Sequence, residues 1–453
     1  MRTYRFFLLG LLLSAVISAC KNNDEELLFD QTADERVAAA INDLEQRLVA
    51  PPNGWIVRYQ PVPESGAYNV LLNFDTDGNV RIRTDFGAND NEFYDQTVTY
   101  RVDNSLGLEL IFETYSFFSY LFEQNQATFE AEYELNFANE TPEGELIFSS
   151  KTDLTSLTVL AFEPAPENAE ALLGRALNAD LETLSSTLGV ISPVYRLNYV
   201  NRDLSLYLSL NTRLRTLSFT YATSLAGDRE QAIDFTSGYL AEGNELILAT
   251  PFERNLLGAS VTIPSINFSE LTEGGTVPSC QQAVNVQSYR GTVTESNDPV
   301  VLLPTLFDPA GAQFSDNAGT YLANPGDIYD NGVSVGARVR EDIAGMIGLV
   351  LYNFGAGENP FVAVGFGIVA GDELVVPVRD FAPVYTDNQV AFNLASDYRI
   401  VIGDTTAMID PTAMNNYLNQ LTEGESTRIL QSGPDVYELF NPCTGWSAIL
   451  QKL

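Results

Sequence analysis

The clearest pattern of apolar and polar positions in this chain begins at Thr32. Thr32 and Glu35 have the spacing of a capping box, in which each side chain satisfies a free backbone donor at the start of a helix. Polar residues then alternate with an apolar stripe at the helical period, and that stripe consists of Val37, Ile41, Leu44 and Leu48. The pattern predicts an amphipathic helix that ends before Pro51.

A strand and a hairpin are predicted directly after this helix. Trp55, Val57 and Tyr59 alternate with more polar residues at a period of two, which is typical of a strand that rests on a core. Residues 68–74 and 80–84 flank the turn sequence 75–79 and predict a β-hairpin. An EF-hand loop beginning at residue 75 would have Glu at its twelfth position, and this sequence has none there, so we expect a plain turn at residues 75–79.

Residues 115–122 form the most aromatic stretch of the chain. Tyr115, Phe118 and Phe122 have helical spacing, which favours a short helix that plugs the sheet. The alternative is a set of exposed rings that stack on sugar rings. Further alternating segments up to residue 163 complete a first predicted unit, which covers residues 28–163.

A second helix is predicted after Pro164 and Pro166. Five leucines share one face of this helix, and Gly189 is placed to end it; the leucines are Leu173, Leu177, Leu181, Leu184 and Leu188. Strand patterns follow, and residues 143–148 are echoed by residues 242–248. We therefore expect a second, related helix-plus-sheet unit over residues 164–270.

The C-terminal third has a different pattern. Residues 269–278 are rich in Ser, Thr, Glu and Gly and predict a linker. Over residues 279–453, short apolar runs between Gly, Pro and Asp predict a β-sandwich-like domain with one helix at residues 412–421. Asp327, Asp330 and Asn331 are candidate calcium ligands, with ordinary turn geometry as the alternative. The predicted fold class is α+β, mainly β: two helix-plus-antiparallel-sheet units followed by this domain.

The N-terminus has the pattern of a lipoprotein signal. Arg2 and Arg5 precede the apolar residues 6–13, a run too short to span a bilayer permanently. The sequence Ile17-Ser18-Ala19-Cys20 resembles the lipobox of bacterial lipoproteins. That resemblance implies that residues 1–19 are removed and that Cys20 is acylated, which gives a membrane anchor. An ordinary signal with an incidental cysteine is the alternative.

Residues 20–27 form a polar, acidic tether with nothing to bury. Short acidic runs after the lipidated cysteine resemble the export signal of surface lipoproteins in Bacteroidota. We therefore expect an outer-membrane protein that is lipid-anchored at the cell surface.

Charge and composition exclude several functions. The chain has 24 Lys and Arg against 60 Asp and Glu, and loss of the signal with Arg2 and Arg5 takes the formal charge from −36 to −38. Nucleic acid and anionic lipid surfaces are therefore not expected as partners. The sequence contains no histidine, which excludes Ser-His-Asp and Cys-His catalysis and His-ligated metal sites. A pair of carboxylates for glycoside hydrolysis remains feasible.

Besides Cys20, the chain contains Cys280 and Cys443. In an exported protein two such cysteines are expected to pair, although two buried free thiols are the alternative. The bond would close a loop of about 160 residues, for which chain entropy predicts at most about 5 kcal/mol of stabilisation. We expect it to join the first and last strands of the C-terminal domain.

Several short motifs together resemble the Bacteroidota lipoproteins of the domain-of-unknown-function family 4302. These motifs are the lipobox, residues 29–36, the turn sequence Pro52-Asn53-Gly54-Trp55, the hairpin at residues 74–80 and the segments 132–135 and 145–151. The resemblance covers residues 20–270. It implies a cell-envelope lipoprotein of the kind found beside outer-membrane nutrient-uptake systems, and it supplies no catalytic residues.

The expected function is therefore non-catalytic. We predict an anchored binding or accessory protein that captures a glycan or joins an outer-membrane uptake complex, with no cofactor, no metal site and no catalytic residues. The alternatives are a carboxylate-dependent glycoside hydrolase and a structural component of an envelope complex.

Overall fold

The computed structural model describes residues 31–453 except for short internal segments. These segments are residues 63–64, 88–91, 106, 125–130, 153–158, 187, 192, 213, 223–231, 257, 281, 307, 309–313, 356–359, 387–388, 404–410, 425–426 and 434. Cys20, the predicted signal and the predicted tether lie outside the described residues. The fold class is confirmed, because the structure is mainly antiparallel β with few helices.

The first helix forms as its cap predicts. Helix α1 (Ala33–Val49) begins after Thr32, and the side chains of Thr32 and Glu35 make the reciprocal capping box. Leu44 and Leu48 are buried, but Val37 is 37% exposed, so the apolar stripe touches the core only in its second half.

Eight strands in chain order close into barrel 1. They are β1 (Trp55–Tyr59), β2 (Tyr68–Phe74), β3 (Asn79–Thr84), β4 (Gln96–Asn104), β5 (Leu108–Phe112), β6 (Glu134–Glu140), β7 (Leu146–Ser150) and β8 (Val159–Pro164). All neighbours are antiparallel, and pairing of Trp55 with Pro164 closes the ring. The predicted hairpin is confirmed, since Phe74 pairs with Val80 across the turn.

The aromatic stretch forms the predicted short helix. In helix α2 (Phe117–Phe122), Phe117 and Phe118 are fully buried among the core residues of barrel 1. The Phe118 ring stacks on Phe112 with ring centroids 4.4 Å apart. Tyr115 is 48% exposed and lies before the helix, so the helical spacing overestimates its burial.

Barrel 2 follows helix α3 (Arg175–Ser186), whose Leu177, Leu181 and Leu184 are fully buried as predicted. Its strands are β9 (Val194–Tyr199), β10 (Ser205–Asn211), β11 (Thr216–Ala222), β12 (Ala232–Glu242), β13 (Glu245–Leu256), β14 (Ala259–Ser279), β15 (Gln282–Val293) and β16 (Asp298–Thr305). Pairing of β16 with β9 closes the ring.

The predicted boundary at residues 269–278 is wrong. These residues lie within β14 and pair with β15 along their length, from Glu270 opposite Arg290 to Pro278 opposite Ala283. Ser, Thr and Glu are frequent here because most of these side chains are at least partly exposed, and exposure was mistaken for absence of a strand. Barrel 2 therefore extends to Thr305, and residues 279–305 do not belong to the C-terminal domain.

The third unit is one ten-stranded sheet. Its strands are β17 (Gly319–Ala323), β18 (Ile328–Asp330), β19 (Val333–Ser334), β20 (Met346–Asn353), β21 (Val362–Ala370), β22 (Glu373–Thr386), β23 (Gln389–Ile402), β24 (Thr427–Gly433), β25 (Val436–Asn441) and β26 (Trp446–Lys452). Along one edge, β26 pairs with β18 near its start and with β17 near its end. The pairing with β17 closes the sheet on itself. A single closed sheet thus replaces the two packed sheets of a sandwich. We call this unit barrel 3.

Further helices pack against these barrels. Helix α4 (Gly336–Asp342) follows β19, and helix α5 (Pro411–Thr422) confirms the helix predicted at residues 412–421. A 3-10 helix (Ala169–Leu173) packs against the outer face of barrel 1. Within the described residues, no helix is both long and apolar enough to cross a bilayer.

Barrels 1 and 2 meet at a close, partly charged joint. Gly238 of barrel 2 lies so near barrel 1 that a Cβ atom there would sit 1.7 Å from the Ser65 carbonyl oxygen. Asn69 donates hydrogen bonds across the joint to the Ala241 and Leu172 carbonyls, at 2.7 and 3.0 Å. Arg215, directly before β11, is buried beside Asp85 of barrel 1.

Barrels 2 and 3 are joined by a disulfide and an apolar cluster. The bond between Cys280 and Cys443 is present, but it does not join the first and last strands of one domain. Cys280 lies in the turn between β14 and β15 of barrel 2, and Cys443 lies between β25 and β26 of barrel 3. The earlier expectation failed because the boundary of barrel 2 was placed too early.

Candidate ligand-binding cleft

A cleft in barrel 3 lies between helices α4 and α5 and the start of β26. Its volume is about 540 Å³, and it is lined by Asp330, Arg338, Asp342, Thr412, Ala413, Asn416, Tyr417, Gln420 and Trp446. The lining therefore combines carboxylates, a guanidinium, side-chain amides, hydroxyls and two aromatic residues.

Helix α5 supplies one wall of this cleft because it is amphipathic. Met414, Leu418 and Leu421 are fully buried in the core of barrel 3. Thr412, Asn416 and Gln420 recur every four residues and so share another face of the helix, which lines the cleft. This spacing of polar residues was visible in the sequence, but nothing in the sequence placed the opposite wall beside it.

Helix α4 and the end of β18 supply the charged wall. Arg338 donates a hydrogen bond to Asp330 at 3.2 Å, and this bond, followed by contact with the Tyr417 hydroxyl, raises the pKa of Arg338. Tyr417 donates a 2.5 Å hydrogen bond to Asp342. Burial, and then this bond to Asp342, raise the pKa of Tyr417, so its hydroxyl keeps its proton at neutral pH.

Trp446, another lining residue of the cleft, has an unused donor. The side chain is 1% exposed, and its indole N–H has no hydrogen-bond partner within the described residues. A buried indole N–H normally finds a partner, because an unmade hydrogen bond costs about 1–3 kcal/mol. The cleft therefore contains both paired polar groups on its walls and one unpaired donor among its lining residues.

A second, smaller cleft of about 360 Å³ lies where barrel 2 approaches barrel 3. Its polar lining is uncharged and consists mainly of hydroxyl groups: Tyr195, Ser209, Asn211, Thr212, Thr216, Ser218 and Ser432. The Tyr195 hydroxyl already donates to the Leu181 carbonyl, at 3.2 Å. This cleft lacks the charged groups that would fix a ligand's orientation.

The candidate calcium ligands make hydrogen bonds within the chain, and the Asn331 amide donates to Asp330 at 2.9 Å. Asp330 is bound to Arg338, and Asp327 accepts a hydrogen bond from Asn324. Asn331 has a left-handed backbone, φ 49°, so turn geometry accounts for its position. No group of three or more acidic or cysteine side chains suited to a metal occurs in the part of the chain that the structure describes.

The fold defines a mainly β protein built from three consecutive closed antiparallel sheets, with a polar cleft in the third. The chain belongs to the family described as a domain of unknown function, DUF4302, whose model matches residues 25–262. That match covers barrel 1 and barrel 2 as far as the start of β14. No curated protein matches this chain.

Solved structures described as DNA polymerase III beta subunits and as a beta clamp align with the chain over most of its length. A putative DNA polymerase III beta subunit from Eubacterium rectale is 6% identical, over 91% of this chain and 97% of that one, with a TM-score of 0.15. The beta subunit from Pseudomonas aeruginosa is 10% identical, over 92% and 97%, with a TM-score of 0.16. The H. pylori beta clamp is 7% identical, over 91% and 97%, at 0.13. Scores this low carry no argument about fold or function.

Proposed function

We propose that this protein is a non-catalytic lipoprotein of the bacterial outer membrane that binds neutral glycans in the cleft of barrel 3. The lipobox ending at Cys20 supports the anchor, and the acidic residues after it support display at the cell surface. The sequence motifs imply a cell-envelope lipoprotein of Bacteroidota, which agrees with this role.

The chemistry of the cleft carries the proposal. Sugar hydroxyls both donate and accept hydrogen bonds, so a sugar site needs both kinds of partner at fixed positions. The carboxylates of Asp330 and Asp342 accept, Arg338 donates, and the amides of Asn416 and Gln420 do both. The contacts of Asp330 with Arg338 and of Asp342 with Tyr417 hold the charged groups in place before a ligand arrives.

Charge restricts the class of glycan. Two carboxylates against one guanidinium make the cleft net negative, and the chain has a formal charge of −36. A polyanion such as a uronic-acid or sulfated polymer would be repelled both by the cleft and by the surrounding surface. Neutral glycans avoid this repulsion.

Glycan binding by the purified mature chain tests the proposal. We expect neutral glucan, mannan or galactan oligosaccharides to bind and uronic-acid oligosaccharides not to bind. Replacing Arg338 by glutamine removes a charge-assisted donor and should weaken binding about tenfold. A matched control is Arg81→Gln, which breaks a similarly exposed ion pair with Asp95 in barrel 1 and should leave binding unchanged.

Two results would contradict the proposal: no binding of any neutral glycan, or equal binding by the Arg338 and Arg81 variants. Location is tested separately by protease shaving of intact cells with a periplasmic control protein. Loss of barrel 3 from shaved cells supports display at the surface, whereas its survival contradicts it.

A glycoside hydrolase is the second candidate, because the cleft contains two carboxylates. Hydrolysis needs one carboxyl group to deliver a proton and another to attack or activate water. Asp330 is held by Arg338 and Asp342 by Tyr417, which favours binding roles for both. Release of reducing sugar that Asp330→Asn or Asp342→Asn abolishes would establish hydrolysis instead.

A further inference from the structure

We infer that the disulfide between Cys280 and Cys443 positions the wall of the cleft, and thereby controls how tightly the cleft binds its ligand. The part of this inference that concerns ligand affinity depends on the function proposed above. The part that concerns the order of the wall depends only on the contacts described here.

The turn that carries Cys443 caps the C-terminal end of α5. The side-chain amide of Asn441 donates to three carbonyl oxygens at this end, those of Gln420 at 2.9 Å, Leu421 at 3.0 Å and Glu423 at 2.7 Å. Thr444 adds a hydroxyl bond to the Gln420 carbonyl, at 2.7 Å. The last carbonyls of a helix have no partner inside the helix, so these bonds fix the position of its end.

The same turn continues directly into Trp446. The Cys443 N–H donates to the Asn441 side-chain oxygen at 2.9 Å, and the Trp446 N–H donates to the Thr444 hydroxyl at 3.3 Å. Residues 441–446 are therefore one hydrogen-bonded unit that contacts α5 on one side and bears Trp446 on the other. Gln420, whose carbonyl accepts from this unit, and Trp446, at the end of the unit, both line the cleft.

The sulfur of Cys443 itself lies against the end of the helix segment. A Cβ atom on Gly424, which follows α5 and has φ 91°, would approach this sulfur to 2.6 Å. A movement of the disulfide therefore has little free space before it meets the backbone after α5.

The other end of the disulfide is fixed to barrel 2. Cys280 lies at the tip of the hairpin formed by β14 and β15, and Val277 and Val286 near this tip are buried with Leu430 and Phe440 of barrel 3. The hairpin thus holds Cys443 from outside barrel 3. The position of the cleft wall therefore depends on contacts with barrel 2 as well as on contacts within barrel 3.

Hydrogen exchange of the mature chain, with Cys20→Ser in every sample, tests the inference. The variant Cys280→Ser with Cys443→Ser should exchange faster in residues 411–424 and 441–446, with strands of barrel 1 unchanged. Its tryptophan emission should also change, because Trp446 adjoins the turn whereas Trp55 lies in barrel 1. Affinity for a neutral glucan oligosaccharide that the intact chain binds should fall about fivefold.

A second variant keeps the disulfide and removes the Thr444 hydroxyl, which donates to the end of α5 and accepts from the Trp446 N–H. Thr444→Val replaces the hydroxyl that bonds the Gln420 carbonyl and should give the same changes in the same two segments, to a smaller extent. This variant also decides the question if the double serine variant does not fold. Arg81→Gln in barrel 1 is the control and should change neither segment.

Unchanged exchange in both segments of the double serine variant would overturn the inference, as would unchanged exchange in Thr444→Val if only that variant folds. Faster exchange with undiminished glucan affinity would overturn the control of binding. Failure of the intact chain to bind glycans would overturn the proposed function alone, because the exchange comparison needs no ligand.

Discussion

Replacing Asp85 by asparagine should stabilise the joint between barrels 1 and 2 at neutral pH. Asp85 and Arg215 are both buried, and the shortest contact between their charged groups, from Nη2 to Oδ1, is 3.8 Å. That distance is too long for a hydrogen bond. Arg215 instead donates to the Asp85 main-chain carbonyl at 2.7 Å, a bond that asparagine at position 85 would keep.

The magnitude follows from the pKa of the carboxyl group. Burial raises the pKa of Asp85 from 3.8 to about 6, although the positive charge of Arg215 acts in the opposite direction. The folded protein therefore holds this proton more tightly than the unfolded chain, and stability from this group falls as the pH rises from about 4 to about 6. At 1.36 kcal/mol per pKa unit, the loss above this window is about 3 kcal/mol.

Asparagine resembles the protonated acid at every pH. Asp85→Asn should therefore leave stability unchanged near pH 4 and raise it by up to about 3 kcal/mol near pH 8. Arg215→Met should do the opposite at high pH, because it leaves a buried carboxylate without a counter-charge and costs about 3–5 kcal/mol. At high pH, loss of the acid should therefore stabilise the protein, whereas loss of the arginine should destabilise it.

Urea unfolding followed by tryptophan fluorescence, in chains that all carry Trp446→Phe so that Trp55 supplies the signal, reports on barrel 1 at each pH. Comparison of each variant with the unsubstituted chain cancels the titration of the other acidic residues, which the variants share. The reasoning would be refuted if Asp85→Asn destabilised the protein by more than about 1 kcal/mol near pH 8, since the ion pair would then outweigh the burial of its charges.

Two further predictions concern backbone positions. Gly238→Ala should cost about 1–3 kcal/mol in urea unfolding, because its Cβ would collide with the Ser65 carbonyl across the joint; Gly107→Ala, where a Cβ meets nothing within 4 Å, is the control and should be nearly neutral. Thr32→Ala should speed amide exchange in the first turn of α1, because it removes the hydroxyl that accepts from the Glu35 N–H. The Thr32 backbone N–H, followed by the Thr32 hydroxyl, lowers the pKa of Glu35, so loss of the hydroxyl alone should raise that pKa only in part. Unchanged exchange of the Glu35 amide would show that the cap does not form in solution.

Local elements were predictable because their signals lie within a few residues of each other. The capping box of α1, the turn between β2 and β3 and the buried leucines of α3 all depend on near neighbours in the chain. The boundary was mispredicted where exposed polar residues form regular secondary structure. Residues 269–278 are polar and partly exposed yet form a strand, because a hairpin that reaches beyond its barrel needs few apolar side chains.

The cleft was predictable only in part. The polar face of α5, at Thr412, Asn416 and Gln420, is present in the sequence at helical spacing. The opposing residues Asp330 and Arg338 come from a segment about 80 residues earlier, and only pairing of β18 with β26 brings that segment beside α5. The sequence also paired Cys280 with Cys443 correctly but assigned the two cysteines to the wrong elements.

The sequence by itself determined the mainly β class, the helix starts and several turns, because each is a choice that a short segment makes from its own side chains. The tertiary structure decided which strands close each ring, as when β1 meets β8 and β17 meets β26. Closure depends on the twist and stagger accumulated over a whole sheet, to which every strand contributes and which no single strand encodes. The buried pair of Asp85 and Arg215, 130 residues apart, has the same origin, since its cost and its partner exist only once two closed barrels meet.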